Sequence, residues 1–333
     1  MLARVGTHLG RRGPFGGHDQ QYACAMTSAS TDDPLEQLVD PSFARPLPAS
    51  LLAGRRDLQA AVADLRTIDD ADLPRPWPWK GGGEEEVRYG FYRIAESFEL
   101  AGIEAQAWMA AAGIERGRAA ERIAPTTAAR WDLHGLLLTL PDPAWDADPG
   151  AQEWTVRQTV AHVIGTQRHY GVGTAWWQAQ AYAAADPMLP AGTPEAVYDG
   201  LPSEEEEGQG TPTEVLDRLD EVVDRSSAAL GGLPAERLAS GARWAGFAID
   251  VDFRLGRWSS HIREHTIQVE KTLAMFDHRP TENDRLVHLL LATWGRAEAV
   301  VYGALDADAG SLLAAAAAEA RVTATDVLRS ASG

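Results

Sequence analysis

Apolar side chains recur at three- and four-residue steps through Arg254-Leu-Gly-Arg-Trp-Ser-Ser-His261-Ile-Arg-Glu-His265-Thr-Ile-Gln-Val-Glu-Lys-Thr-Leu273. Leu255, Trp258, Ile262, Val269 and Leu273 mark one face of an α-helix, because a 3.6-residue period brings them into line. The same period sets His261 beside His265, one turn apart and leaning the same way, so both rings point toward the core. Two neutral imidazoles at i and i+4 on a half-buried face are how a helix offers two ligands to one divalent metal. The plainer reading, a pair of ordinary core or surface histidines, stands beside it. A third ligand has to come from elsewhere in the chain, and His162 is the candidate.

Helical period runs through most of the remaining chain. Ser50 to Arg66 reads as a helix opening on Ser50 as its cap. Pro74, Pro76 and Pro78, interleaved with Trp77 and Trp79, then forbid regular helix, and Gly81-Gly-Gly ends this connector. Glu84 to Ala112 carries a wide apolar stripe, with its acidic run placed where the helix dipole favours negative charge and Gly113 as the stop. A further helix is expected from about Pro125, tolerated in a first turn, through Trp131 to Leu138. Leu140-Pro-Asp-Pro143 closes it.

Next comes Glu153-Trp-Thr-Val-Arg-Gln-Thr-Val-Ala-His162-Val-Ile-Gly-Thr-Gln-Arg-His169-Tyr170. Thr155 with Gln158 forms a capping box, and Trp154 is the staple residue before it. His162 lies on the flank of the apolar stripe near Gly165 and Thr166, whose small side chains leave room for a bound atom. Pro187-Met-Leu-Pro190 ends this helix after the Trp176-Trp177 pair. Glu204 to Glu207, followed by Gly208 and Gly210, reads as a solvated loop, since four adjacent carboxylates repel one another. Thr213 is expected to cap a helix that carries Leu216, Leu219, Val222, Val223 and Leu230 and stops at Gly231-Gly232.

Arg285 to Leu305 and Ser311 to Leu328 are both helical in pattern, the second alanine-rich and expected at the periphery. Phe247 to Phe253 alternates, but alone it makes only an extended approach to the following helix. No other alternating run with an Asn-Gly or Asp-Gly turn is present. The expected architecture is therefore all-α with a bundle core.

A chain of 333 residues, 45% of them hydrophobic, suffices for one large or two modest domains. No apolar run reaches the roughly 18 residues that span a bilayer. A net charge of −18 argues against nucleic acid or anionic lipid as partner, because both demand basic surface. Cys24 is the only cysteine, so neither a disulfide framework nor a multi-thiolate metal site is available, and any metal rests on His, Asp or Glu. Cys24 itself lies in an aperiodic segment and reads as inert. Met26 is the expected start of the folded protein, with residues 1–25 as a tail.

The order Leu140-Pro-Asp, then Glu153-Trp-Thr-Val-Arg-Gln-Thr-Val-Ala-His162, then another helix, then His261-Ile-Arg-Glu-His265-Thr-Ile-Gln resembles the DinB-like superfamily. Its relatives include mycothiol-dependent maleylpyruvate isomerase and bacillithiol transferases. The resemblance covers roughly residues 119–276 and implies a four-helix bundle holding a divalent metal (Zn, Ni or Fe) through His162, His261 and His265. Some relatives place Glu at the first position of the pair, so this chain is of the all-histidine type. Around that core the expected division is an N-terminal extension and Pro/Trp/Gly connector over 26–83, an additional helix over 84–118 and a C-terminal helical extension over 277–333.

His169 is the alternative ligand, two turns from His162, while His134, His278 and His288 read as packing or surface residues. Three protein ligands leave open positions on a metal, which is the catalytic pattern. Gln268, Glu264, Thr166 and Trp258 are the residues expected to support the ligands or line the substrate's place, and no side-chain nucleophile is assigned. The resemblance implies a metal-dependent transferase or isomerase using a low-molecular-weight thiol, mycothiol or a similar one; the expected location is the cytoplasm. A non-catalytic metal-binding or stress-related protein is the alternative, and a metal-dependent hydrolase the second. The expected partner is a small molecule rather than nucleic acid or a membrane, and a homodimer is allowed.

Overall fold

Helix forms wherever apolar residues keep the 3.6-residue period. The computed structural model describes residues 34–79, 83–304 and 309–333, so Cys24 and the expected start at Met26 lie outside the described residues. In chain order the elements are α1 (Pro34–Leu38), α2 (Ala49–Leu65), β1 (Pro76–Trp79), β2 (Gly83–Glu86), α3 (Val87–Ala112), α4 (Arg118–Leu137), α5 (Asp142–Asp146) and α6 (Val156–Gln180). They continue with α7 (Glu204–Glu207), α8 (Pro212–Leu230), α9 (Ala235–Leu238), β3 (Gly241–Trp244), β4 (Phe247–Asp250), α10 (Val251–Met275), α11 (Glu282–Val301) and α12 (Ala309–Ser332). The fold is all-α, with two small antiparallel hairpins.

Four of the helices pack in a closed order: α4 lies against α8 and α10, and α6 lies against the same two. Leu133, Leu137, Val160, Val163, Ile164, Leu219, Val223, Ile262 and Val269 fill the space between them. Fully burying each such side chain is worth about 1.5–3 kcal/mol, and their helical spacing is what brings them to one place. A second core joins α2, α3, α11 and α12 through Leu58, Leu65, Phe91, Phe98, Leu290, Trp294 and Leu313. The two cores meet where α11 lies on α4, and Trp131 of α4 belongs to the second core. Glycines allow this close approach: a Cβ on Gly295 would lie 2.6 Å from Trp131 Cβ, and one on Gly135 would lie 2.5 Å from the His288 ring.

A buried ionic network occupies that seam. Glu298 of α11 is fully buried and accepts from Arg55 Nε at 3.0 Å, from Arg130 Nη2 at 3.2 Å, and from the indoles of Trp131 and Trp294 at 3.0 and 2.7 Å. Arg130 also donates to Asp224 at 2.9 Å, and His134 lies 3.1 Å from Asp220. Burial alone would raise the Glu298 carboxyl pKa, but Arg55 and Arg130 outweigh it and hold the group ionised. A smaller clamp ties α10 to α4: Asp252 accepts from Arg118 and Arg122, which, Arg118 first, hold its carboxyl down at about 2.

Several local expectations are corrected. Gly83–Glu86 is a strand paired with Pro76–Trp79, so helix α3 starts at Val87 rather than Glu84. Helix α4 starts at Arg118, seven residues before Pro125, because the stripe of Ala119, Ala120 and Ile123 extends the apolar face backwards; Pro125 is therefore interior. Thr211, with Glu214, caps α8 in place of Thr213, and α2 begins after Pro48 with no side-chain cap from Ser50. Phe247–Asp250 is not a lone extended approach. It pairs with Gly241–Trp244 across Ala245 and Gly246, both at positive φ, +47° and +85°, as a two-residue hairpin of this kind requires. Finally, α12 is not peripheral: Ala309, Leu313, Ala317, Ala320, Ala324 and Val327 are all buried against α2 and α3.

Candidate metal centre

The capping box at Thr155 starts α6 with two reciprocal bonds, Gln158 N to Thr155 Oγ1 at 3.1 Å and Thr155 N to Gln158 Oε1 at 3.0 Å. Seven residues after Thr155, helical phase turns His162 toward α10. From α10, His261 and His265 face back, one turn apart. The ring centroids lie 4.4 Å apart for His261 and His265, 4.8 Å for His162 and His265, and 5.3 Å for His162 and His261. One ligand nitrogen from each ring lies within 4.8 Å of the other two.

The chemistry of the donor set fits a divalent ion. His261 Nε2 and His265 Nε2 are 3.1 Å apart, close to the roughly 3.3–3.4 Å edge of a tetrahedron built on bonds of about 2.0–2.1 Å. His261 is buried, and that burial, followed by the nearby His265 and His162, pushes its pKa down to about 3. Burial also lowers His265, against the raising effect of Gln268. Both imidazoles are thus neutral near pH 7, with lone pairs free to ligate. Outer partners orient the rings: Gln268 Oε1 lies 2.8 Å from His265 Nδ1, and Glu204 Oε1 lies 2.7 Å from His162 Nδ1. With Nδ1–H of His265 and His162 donating outward, Nε2 is left as the ligand atom of these two rings, in the pattern usual for metal-bound histidine, while His261 Nδ1 is buried without a partner.

Residues 126–269, from the middle of α4 to the last turns of α10, match the family model of the DinB superfamily. This segment belongs to the DinB superfamily. No curated protein and no solved structure matches the chain significantly. All three histidines fall inside the DinB segment, on α6 and α10.

The other expected residues are distributed around the DinB cluster unevenly. Thr166 Oγ1 is 3.4 Å from His162 Nε2. Trp258 is buried one turn before Ile262, its carbonyl accepting from Gln167 at 3.2 Å and its indole nitrogen without a partner. Glu264 points outward into a two-bond pair with Arg257, 2.7 Å each. His169 is outside the cluster: its Nδ1 donates to the Gly165 carbonyl at 2.7 Å and its ring packs on Tyr198 at 4.6 Å. His288 pairs with Asp132 at 2.8 Å, away from the site.

Two groups at the DinB cluster escaped the sequence reading of it. Glu204 reaches His162 from a run read as a solvated loop; the run is instead the short helix α7, capped by Ser203 with Glu206. Glu207 of the same run is fully buried and accepts from Arg168 at 2.6 Å. The signal was present, since Ser203-x-x-Glu206 is a capping-box pattern. Tyr170, whose ring is edge-on to His261 at 5.4 Å, is part of no motif in the sequence.

Proposed function

We propose that this protein is a metal-dependent transferase or isomerase that acts with a low-molecular-weight thiol on a small-molecule substrate. The observation that carries the reading is the convergence of His162, His261 and His265, three ligands that no fourth His, Cys, Asp or Glu joins among the described residues. A divalent ion held this way keeps open positions and its full charge, and so would stabilise an incoming thiol as the thiolate near neutral pH. Membership of residues 126–269 in the DinB superfamily supports the same reading. The protein's own part is to orient His265 through Gln268 and His162 through Glu204, and to keep one side of the cluster covered by Trp154, whose ring lies 5.0 Å from that of His162.

The test is spectroscopic. Protein loaded with cobalt(II) is expected to bind one metal per chain and to show a sulfur-to-metal charge-transfer band on adding a small thiol. His265→Ala is expected to lose the metal and the band together. An unchanged spectrum with saturating mycothiol, bacillithiol and glutathione, in protein shown to hold one metal per chain, overturns the thiol reading and favours a non-catalytic metal-binding protein.

A further inference from the structure

Arg254 stands on the same face of α10 as His261, seven residues earlier and so about 10 Å along the helix axis. It is a guanidinium among neutral groups. Its Nη1 donates to the Arg243 carbonyl at 3.3 Å, the hydroxyls of Tyr198 and Tyr170 are the other polar groups that face it, and its Nε is buried without a partner. Burial pushes its pKa down, and only the two phenols oppose that. The other deeply placed arginines are different: Arg55 and Arg130 meet Glu298 and Asp224, and Arg168 meets Glu207. A half-buried cation whose Nε is cut off from water and that has no counter-charge is costly, which marks Arg254 as a group whose partner is a ligand.

Its surroundings are shaped for it. A Cβ on Gly173 would come within 2.6 Å of the Tyr198 hydroxyl and 2.9 Å of Arg254 Nη2, so the glycine is what lets both groups close on α6. Toward the metal cluster, Tyr170 faces both Arg254 and Arg257 while its ring meets His261 edge-on. Arg257, whose Nε is likewise without a partner, differs in having its charge met by Glu264. Polar groups thus run from Arg254 through Tyr170 to His261, and Glu264, whose carboxylate also acts on Tyr170, is held by Arg257. In a chain of net charge −18, an acidic ligand is repelled from most of the surface and needs such a place.

We propose that Arg254, with Tyr170 and Tyr198, binds a carboxylate of the molecule whose thiol meets the His162–His261–His265 cluster, so that the cosubstrate is a carboxylate-bearing thiol. This rests on the thiol reading above, and the experiment separates the two. Cobalt-loaded protein is titrated with 6-mercaptohexanoate and with 6-mercaptohexan-1-ol, which differ only in the charged end. The acid is expected to bind at least ~10-fold more tightly, as a fork of charge-assisted bonds allows. Arg254→Gln should erase that preference and leave the alcohol's affinity unchanged, and Arg254→Lys, which keeps the charge without the fork, should recover part of it. Equal affinities in the wild-type protein overturn the proposal. Should neither thiol move the cobalt spectrum, the thiol reading fails by itself, and calorimetry of adipate with metal-free protein decides the arginine site: binding that Arg254→Gln removes supports it, and no binding to the wild-type protein overturns it.

Discussion

At the scale of single residues, the cluster depends on which nitrogen of each ring carries the proton. Gln268 sits one turn beyond His265 on α10, and its Oε1 is 2.8 Å from His265 Nδ1. Accepting there fixes the proton on Nδ1 and leaves the Nε2 lone pair aimed at His261 Nε2. Gln268→Ala is therefore expected to weaken metal binding by about 10–100-fold without loss of fold, measured by competition with a chromophoric chelator; an unchanged affinity would mean the ring is oriented by packing alone. The three histidines were legible before any coordinates, because residues on a helix inherit their direction from its phase, and two elements with strong apolar stripes fix that phase. Glu204 was not legible in the same way. It arrives from a separate short helix, and nothing in the spacing between positions 162 and 204 says that they meet.

At the scale of elements, the two hairpins were missed for different reasons. In β3–β4 the turn is Ala245-Gly246, and the alanine carries the positive φ usually left to Asn or Gly, so the usual turn signature is absent. Replacing it restores that signature: Ala245→Asn is expected to raise unfolding stability by a few tenths to about 1 kcal/mol, read from the urea midpoint at constant slope. The β1–β2 pair was hidden because Pro76 and Pro78 discourage a strand and the acidic run suits a helix start; a two-stranded ribbon tolerates prolines that a central strand would not. Between elements, Glu298 is the group on which α2, α4 and α11 converge. Glu298→Gln leaves Arg55 and Arg130 short of a buried counter-charge and is expected to cost about 3–5 kcal/mol. Arg321→Ala, which breaks the exposed pair with Asp57, should cost under about 1 kcal/mol. Equal effects of the two substitutions in denaturant unfolding would contradict the weight given to burial.

At the scale of the whole molecule, the segment that matches the superfamily is shorter than the unit that packs. Residues 126–269 begin halfway along α4, and the buried face of that helix is completed by α11, which follows the match. Sequence periodicity showed α11 and α12 as helices but not what they cover. Alanine-rich α12 reads as peripheral because small side chains bury little area each, yet small side chains are what let it approach α2 so closely that a Cβ on Gly54 would lie 3.0 Å from Ala314 Cα. Consider a fragment spanning residues 119–276. It retains all three histidines and every helix pairing among α4, α6, α8 and α10. It also strips α11 from α4, which exposes Trp131 and leaves Arg130, fully buried in the intact chain, with only Asp220 and Asp224 at one edge. Losing the indole's burial and the Glu298 contact together removes several kcal/mol, comparable to the whole margin of a domain this size. The fragment is accordingly expected to show helical far-ultraviolet dichroism but weak near-ultraviolet signal and no cooperative melt, whereas the full chain melts cooperatively. A sharp thermal transition in the fragment, with one cobalt bound per chain, would instead establish that the metal-binding bundle stands without the helices that follow it.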